Sequence, residues 1–177
     1  MIVSIVVATT EDGVIGINGK LPWKRISSDM EQFRRMTIGH PVVMGRKTYD
    51  SIPTSYRPLA KRTNIILSRT PNWSSEGCIT AVSPAQALAY AANALGSEEV
   101  FIVGGSEIYR LFLPFTDRIF LSRIKIISQK AENQSIFDPL DTAIWESVVT
   151  GTFSKGSGND FGGTFHTFSR RTREEKI

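Results

Sequence analysis

Cysteine and histidine are scarce in this sequence: among 177 residues there is one cysteine, Cys78, and there are two histidines, His40 and His166. One cysteine can form neither an internal disulfide nor a cysteine-cluster zinc site. Two histidines far apart in the chain argue against a histidine-rich metal centre. We therefore predict a protein of a reducing compartment that binds no metal.

Long hydrophobic runs are also missing. The first apolar run covers residues 1–8, contains no basic residue and is interrupted at Thr9. A secretory signal peptide needs a basic start and a longer apolar stretch, and a membrane span needs ~20 apolar residues. We expect a cytoplasmic protein that makes no membrane contact.

The excess of positive charge is small. Twenty-one Lys and Arg residues against 17 Asp and Glu residues give a net charge of +4, which favours anionic ligands. The basic residues are scattered except near the end, where interleaved glutamates would weaken phosphate binding. We interpret the end, about 170–177, as a charged tail on a single domain, residues 1–177. We expect no nucleic-acid partner.

Short apolar runs rich in β-branched residues occur along the chain. A run without polar alternation is typical of a strand buried on both faces. The strands predicted in this way are residues 2–8, 42–44, 65–67, 100–103 and 118–122. The last third of the chain alternates polar and apolar residues, which predicts an antiparallel hairpin between about 145 and 168.

Helix-like windows separate several of these runs. The first predicted helix contains Met30 and Phe33 and ends before Gly39-His40-Pro41, and two others are predicted at residues 84–95 and 106–113. Ser27 or Ser28 is the predicted N-cap of the first helix, and Gly96 is the predicted C-cap of the second. Alternating strands and helices indicate an α/β domain with a mostly parallel sheet, whose ligands bind at the carboxyl ends of the strands.

Glycine, hydroxyl and basic residues follow three of the predicted strands. The segments are Gly45-Arg46-Lys47-Thr48, Ser68-Arg69-Thr70 and Gly104-Gly105-Ser106-Glu107. Each alone is compatible with a solvated loop or a tight turn. Together they suit an extended ligand with several phosphates, such as a dinucleotide with an additional 2′-phosphate, since glycine lets the backbone approach and arginine binds phosphate bidentately.

Three further features each allow two interpretations. Asp29 is either a first-turn carboxylate stabilised by the helix dipole or a lone carboxylate in an apolar pocket. Leu21-Pro22-Trp23 is either core or a lid over a flat ligand. Arg62 is either surface charge or a clamp for a carboxylate.

Taken in order, these pieces resemble the dihydrofolate reductase family, and the resemblance covers nearly the whole chain. The matching segments are residues 12–16, 21–23, 29–33, 41–52, 57–59, 64–69, 103–109 and 145–147. The most specific combination is Met44-Gly45-Arg46-Lys47-Thr48 followed, at this separation, by Gly104-Gly105 and Ile108-Tyr109.

The resemblance implies a fold and a reaction. The fold is a mixed, mostly parallel sheet of about eight strands flanked by about four helices, with a C-terminal antiparallel hairpin. The reaction is reduction of 7,8-dihydrofolate to tetrahydrofolate by hydride transfer from NADPH, in support of one-carbon metabolism and nucleotide synthesis. It also implies a monomer that small antifolates inhibit.

The family's site residues are carried over position by position. The catalytic positions are Leu21, Trp23, Asp29 and Ser122. The substrate positions are Val6, Val7, Asp29, Met30, Phe33, Ile52, Leu59, Arg62, Val103, Tyr109 and Ser122. The cofactor positions are Ala8, Ile15, Gly16, Asn18, Leu21, Gly45, Arg46, Lys47, Thr48, Leu67, Ser68, Arg69, Val103, Gly104, Gly105, Ser106, Glu107 and Ile108.

The resemblance also gives roles to some of these positions. Asp29 is expected to be the only ionisable side chain that contacts the pterin ring, with Ser122 linked to it. Arg62 is expected to bind the glutamate α-carboxylate, and Arg69 the 2′-phosphate together with Arg46 or Lys47. The family's Gly-Gly peptide is cis.

Three segments depart from the family pattern. Between Trp23 and Asp29 the chain is one residue longer than the bacterial pattern, so Ser28 and Asp29 both lie near the family's acidic position. The glycine-rich residues 156–163 leave the loop of the terminal hairpin open. Residues 133–138 stand where the family has acidic-Thr-x-Phe-Pro, so the contacts that close the active-site loop are left open.

Two other functions remain open at this stage. One is a reductase of the same fold that acts on a ribosylated pyrimidine in riboflavin synthesis, against which Asp29 and Leu21-Pro22-Trp23 argue. The other is an NADPH-binding module without catalysis.

Overall fold

An eight-stranded sheet forms the centre of the computed structural model, which describes residues 1–171. The strands, including two that form a small second sheet, are β1 (Ile2–Thr10), β2 (Val14–Ile17), β3 (Pro41–Gly45), β4 (Thr63–Leu67), β5 (Cys78–Ala81), β6 (Glu99–Ile102), β7 (Arg118–Ile124), β8 (Gln134–Ile136), β9 (Trp145–Phe153) and β10 (Gly163–Arg170). The order in the main sheet is β5-β4-β3-β6-β1-β7-β10-β9. The strands from β5 to β7 run parallel, whereas β10 is antiparallel to β7 and β9. The predicted α/β class and C-terminal hairpin are confirmed.

The central strands are apolar because both faces of the sheet are covered. Val43 and Ile65 pack into one hydrophobic core, while their neighbours Val42, Met44 and Ile66 pack into a second core on the other face. All five side chains are fully buried. Burying a side chain of this size contributes about 1.5–3 kcal/mol, so the two cores hold the strand ends in place.

Within residues 1–171, four α-helices flank the sheet, in agreement with the number that the resemblance implied. They are α1 (Ser27–Thr37), α2 (Arg46–Ser51), α3 (Pro84–Ala92) and α4 (Ser106–Phe112). Ser83 caps α3, because its hydroxyl oxygen accepts a hydrogen bond from the Gln86 amide at 3.2 Å. None of the helices within residues 1–171 is long and apolar enough to cross a membrane.

The two predicted helix caps around α1 and α3 are wrong. Ser27 and Ser28 lie inside α1, and its N-cap position is held by Ile26, whose side chain makes no capping bond. The C-cap of α3 is Asn93, so this helix ends before Gly96. Gly96 is required for a different reason: its φ is +74°, and a Cβ there would lie 1.9 Å from the Gly39 carbonyl oxygen.

The beginning of the predicted charged tail is part of the fold. Arg170 ends β10, and its guanidinium lies 4.6 Å from the centre of the Trp145 ring and donates to the carbonyl oxygens of Leu113 and Thr116. Arg171 donates its amide to the Ile144 carbonyl oxygen. These contacts with distant parts of the chain carry no local sequence signal. Residues 172–177 of the predicted tail lie outside the described residues.

Candidate active site

The carboxyl ends of β1, β3, β4 and β6 open into one cleft. Its volume is about 2750 Å³, and residues of α1, α2 and α4 complete its walls. Every site residue named from the sequence lines this cleft except Asn18, Gly104 and Ser122. Residues spread along the first two thirds of the chain therefore meet at one edge of the sheet, where α/β folds bind their ligands.

Asp29 lies in the first turn of α1 and lines the cleft. Burial of the carboxyl group raises the pKa of Asp29 above its ordinary value, and a hydrogen bond with the Ser122 hydroxyl opposes this rise. Desolvation is the larger effect, so the carboxylate lacks the solvation that a surface aspartate has. Of the two interpretations left open by the sequence, the structure supports a carboxylate in a pocket.

Ser122 of β7 and Tyr109 of α4 both lie near this carboxylate. Ser122 is buried on β7, opposite Ala8 of β1 in the ladder. The Tyr109 hydroxyl donates a 2.9 Å hydrogen bond to the Val6 carbonyl oxygen. Burial, and to a smaller degree the charge of Asp29, raises the pKa of Tyr109, which keeps this phenol protonated as a donor.

Gly104 lies behind the cleft wall, which explains why it does not line the cleft. Its carbonyl oxygen accepts the Gly45 amide at 2.8 Å, and its φ is +112°. A Cβ at Gly104 would lie 2.9 Å from the Tyr109 hydroxyl oxygen. The peptide between Gly104 and Gly105 is cis, as the resemblance implied.

Arg62 lies at one end of the cleft. Its guanidinium carbon is 5.7 Å from the centre of the Phe33 ring, in a cation–π arrangement. Burial, and then the charge of Arg34, lowers the pKa of Arg62. A partly buried cation beside a second cation is a favourable place for a carboxylate.

Sequence reasoning missed Arg34 and Lys61, which line the cleft near Arg62. Arg34 follows Met30 by four residues on α1, and that helical spacing was the available signal. Lys61 had no such sequence signal, because it lies in a loop, where its φ is +59°.

Two buried side-chain atoms of residues 1–171 have no hydrogen-bond partner: Arg62 Nε and Ser106 Oγ. Both residues line the cleft, at different ends of it. Buried polar atoms are nearly always hydrogen-bonded in folded proteins, so these two atoms point to polar groups of a ligand.

Two helices begin at the cleft without a side-chain cap. Gly45 precedes α2 and Gly105 precedes α4, and neither helix start has a capping hydrogen bond from a side chain. A Cβ would lie 2.9 Å from Ile108 if built on Gly45, and 3.4 Å from Thr48 Oγ1 if built on Gly105. The glycines thus bring two helix N-termini close together, with free N–H groups suited to phosphate oxygens.

The basic side chains near these helix starts form exposed ion pairs. Arg69 lies 3.1 Å from Glu107, and Arg46 lies 3.1 Å from Asp50. The Arg69 side chain is 85% exposed. Exposed pairs contribute about 0–1 kcal/mol, so either arginine can exchange its partner for a phosphate at little cost.

The segment Leu21-Pro22-Trp23 combines both predicted roles. Leu21 is 53% exposed and lines the cleft, whereas Trp23 is buried against Ile26 and Ile124 while still reaching the cleft wall. Trp23 therefore anchors the loop, and Leu21 is the residue free to cover a ligand.

Main-chain pairing holds the loop that carries Leu21. In the second sheet Gly16 pairs with Ser135 and Ile17 with Gln134. Ser135 and Gln134 belong to residues 133–138, a segment that departs from the family pattern. Asn18 lies in a turn with a φ of +50°, and its amide donates to the carbonyl oxygen of Asn133; Asn18 does not line the cleft.

Within the described residues, no group of three or more His, Cys, Asp or Glu side chains could hold a metal ion.

Comparisons with known proteins give one consistent result. A model of the dihydrofolate reductase family matches residues 2–170. A dihydrofolate reductase of Mycobacterium leprae is 39% identical over 148 residues, which cover 84% of this chain and 87% of the relative. A type 3 dihydrofolate reductase of Salmonella typhimurium is 33% identical and covers 97% of this chain and 99% of its own length.

The fold agrees with that result. A solved structure of a dihydrofolate reductase from Enterococcus faecalis, complexed with NADP(H) and RAB-propyl, superposes with a TM-score of 0.85 at 30% identity and covers 97% of both chains. On this evidence the chain belongs to the dihydrofolate reductase family.

Proposed function

We propose that this chain reduces 7,8-dihydrofolate to tetrahydrofolate by hydride transfer from NADPH, in support of one-carbon metabolism and nucleotide synthesis. The observation that carries the proposal is the desolvated carboxylate of Asp29, in a cleft whose other half is lined by two uncapped helix starts. Membership of the dihydrofolate reductase family supports the same reaction.

The pterin end of the substrate fits the pocket around Asp29. The carboxylate would accept hydrogen bonds from the 2-amino group and the adjacent ring nitrogen, with the Ser122 hydroxyl beside it. Val6, Val7, Met30, Val103 and Tyr109 line the cleft and would surround the pterin ring. Antifolates with an amidine-like ring face compete for this carboxylate.

The other end of the substrate is acidic and fits the cleft near Arg62. Phe33, Ile52 and Leu59 line the cleft between the two ends and hold the aminobenzoyl ring. The guanidinium of Arg62 binds the glutamate α-carboxylate, which satisfies its unpaired Nε.

NADPH fits the half of the cleft formed by α2 and α4. The N–H groups after Gly45 and Gly105 and the unpaired Ser106 hydroxyl bind the phosphates. Arg69 leaves Glu107 for the 2′-phosphate, which explains a preference for NADPH over NADH. Ala8 and Ile15 line the cleft where they would contact the nicotinamide, which would supply the hydride when the cofactor is bound.

The protein contributes orientation, exclusion of water and a proton route. Asp29 fixes the pterin, and the apolar walls remove bulk water from the imine nitrogen, which takes its proton by way of water. Leu21 covers the reacting rings when the loop that carries it closes. Because the Asp29 carboxylate is already desolvated, little solvent has to rearrange around it while the imine nitrogen takes its proton.

Product analysis tests the proposal. Incubation of the protein with 7,8-dihydrofolate and NADPH should form tetrahydrofolate and NADP⁺ in equal amounts. NADPH binding without product would favour a binding module, and turnover of a ribosylated pyrimidine but not of dihydrofolate would favour the riboflavin-pathway reductase.

We also propose that residues 1–177 form one domain that acts as a cytoplasmic monomer. Strands from both ends of the described residues join the eight-stranded sheet, which has a hydrophobic core on each face, and this supports a single domain. A single cysteine suits a reducing compartment. One chain lines the whole cleft, so a second copy is not needed. A dimer seen by sedimentation at assay concentration would contradict the monomer.

A further inference from the structure

The loop between β9 and β10 packs against the beginning of α1. Asp160 accepts the Arg25 amide at 2.7 Å, and its own amide donates to the Arg25 carbonyl oxygen at 2.9 Å. Gly158 accepts the Ser27 amide at 3.2 Å. A Cβ at Gly158 would lie 2.6 Å from Ser27 Oγ, so loop and helix are in direct contact.

Asn159 makes the central contact of this interface. Its Oδ1 accepts the Ser28 amide at 3.0 Å, and its Nδ2 donates to Ser28 Oγ at 2.9 Å and to the Ser154 carbonyl oxygen at 3.2 Å. The side chain is buried, which is unusual for asparagine in a loop. The loop itself is closed by paired main-chain bonds between Asn159 and Gly156.

Helix α1 depends on this loop because it has no cap of its own. Ile26 holds the N-cap position and its side chain accepts no bond. The first N–H groups of a helix lack intrahelical partners. In α1 those of Ser27 and Ser28 are satisfied by Gly158 and Asn159 instead. The residue immediately after Ser28 is Asp29.

We propose that Asn159 is a positioning residue for Asp29: by capping α1 from a loop 131 residues away, it fixes the first helical turn and so the direction of the carboxylate. The proposal rests on the proposed function of Asp29 in binding dihydrofolate. Asn159 does not line the cleft, so its effect reaches the substrate only through the helix.

Three variants test the proposal. Asn159→Ala removes the cap. Asn159→Asp keeps an acceptor for the Ser28 amide next to the positive end of the helix dipole, but it loses the Nδ2 donor to the Ser154 carbonyl oxygen. Asn93→Ala is the matched control, because it removes an exposed asparagine whose Nδ2 bonds to the Ala89 carbonyl oxygen at the end of α3, away from the cleft.

The expected result is selective for one substrate. Asn159→Ala should raise the KM for dihydrofolate about fivefold, the effect of losing one helix cap, with the KM for NADPH unchanged within twofold. Asn159→Asp should recover part of the loss, and Asn93→Ala should match the unmodified protein. Amide exchange at residues 27–30 should be faster in Asn159→Ala than in Asn93→Ala.

Other results would overturn the positioning role. A dihydrofolate KM in Asn159→Ala equal to that of Asn93→Ala, or an equal loss for both substrates, would show that Asn159 does not act on Asp29. If the alanine variant does not fold, the aspartate variant decides, since its KM for dihydrofolate must rise by less than the fivefold expected for alanine, with the KM for NADPH unchanged within twofold. An unmodified protein without dihydrofolate turnover would contradict the proposed function instead, and unchanged amide exchange would then still contradict the cap.

Discussion

The substitution Asp29→Asn tests the account of the pterin pocket. A hydrogen bond to a charged group contributes about 1.5–3 kcal/mol, and we propose two from the pterin to this carboxylate. Losing both amounts to about 3–6 kcal/mol, which is a fall of ~10²–10⁴-fold in kcat/KM for dihydrofolate. Steady-state kinetics with dihydrofolate and fluorescence titration with NADPH measure the two sites separately, and NADPH affinity should be unchanged.

The same substitution should make the protein more stable at neutral pH. Burial raises the pKa of Asp29, so the folded protein holds this proton more tightly than the unfolded chain does. Above the ordinary pKa of 3.8, ionisation therefore lowers the free energy of unfolding, and the penalty grows until the folded pKa is passed. Asp29→Asn should melt at a higher temperature at pH 7, and the difference should shrink as the pH approaches 4.

A matched control is Glu146→Gln, which makes the same change at an exposed position of the edge strand β9. It should leave the kinetics unchanged. Dihydrofolate turnover by Asp29→Asn within threefold of the unmodified protein would refute the role of the carboxylate. A melting temperature that falls at pH 7 would refute the argument from desolvation.

Three further predictions concern other parts of the molecule. Gly96→Ala should lower the free energy of unfolding by about 3 kcal/mol or more in urea titrations, since its Cβ would lie 1.9 Å from a main-chain oxygen. Gly19→Ala, which also has a positive φ but no atom within 4 Å of a Cβ, should lose only about 1–2 kcal/mol. Arg69→Ala should raise the KM for NADPH about tenfold or more and leave that for NADH unchanged, and equal effects on both would be contrary to a 2′-phosphate contact. Ser122→Ala removes the hydrogen bond that lowers the pKa of Asp29, so the acid limb of the kcat/KM profile should move to higher pH; an unmoved limb would argue against that bond.

The strands and the strand-end motifs could be predicted because their signals are local. The run Val42-Val43-Met44 is apolar throughout, and both faces of this strand are buried. Gly45 directly follows that run, and it lies at the cleft. The carboxyl ends of parallel strands lie at one edge of the sheet, so motifs that follow such strands meet there. The position of each motif directly after a strand was therefore sufficient to predict the site.

Features that depend on distant contacts could not be predicted in this way. The cap of α1 comes from Asn159, so the nearby serines were the wrong choice. Gly96 looked like a helix C-cap, yet its need for glycine comes from contact with Gly39. For Asp29 the sequence allowed both a solvated and a buried carboxylate, because desolvation is set by the packing of β7 and α4 around it.

The most direct test of the proposed reaction is the oxidation of NADPH, followed by near-ultraviolet absorbance with and without dihydrofolate, and repeated with NADH. The account predicts oxidation that requires dihydrofolate, with kcat/KM about tenfold or more lower for NADH, because NADH lacks the phosphate that Arg69 binds. Binding of NADPH without any dihydrofolate-dependent oxidation would contradict the central claim.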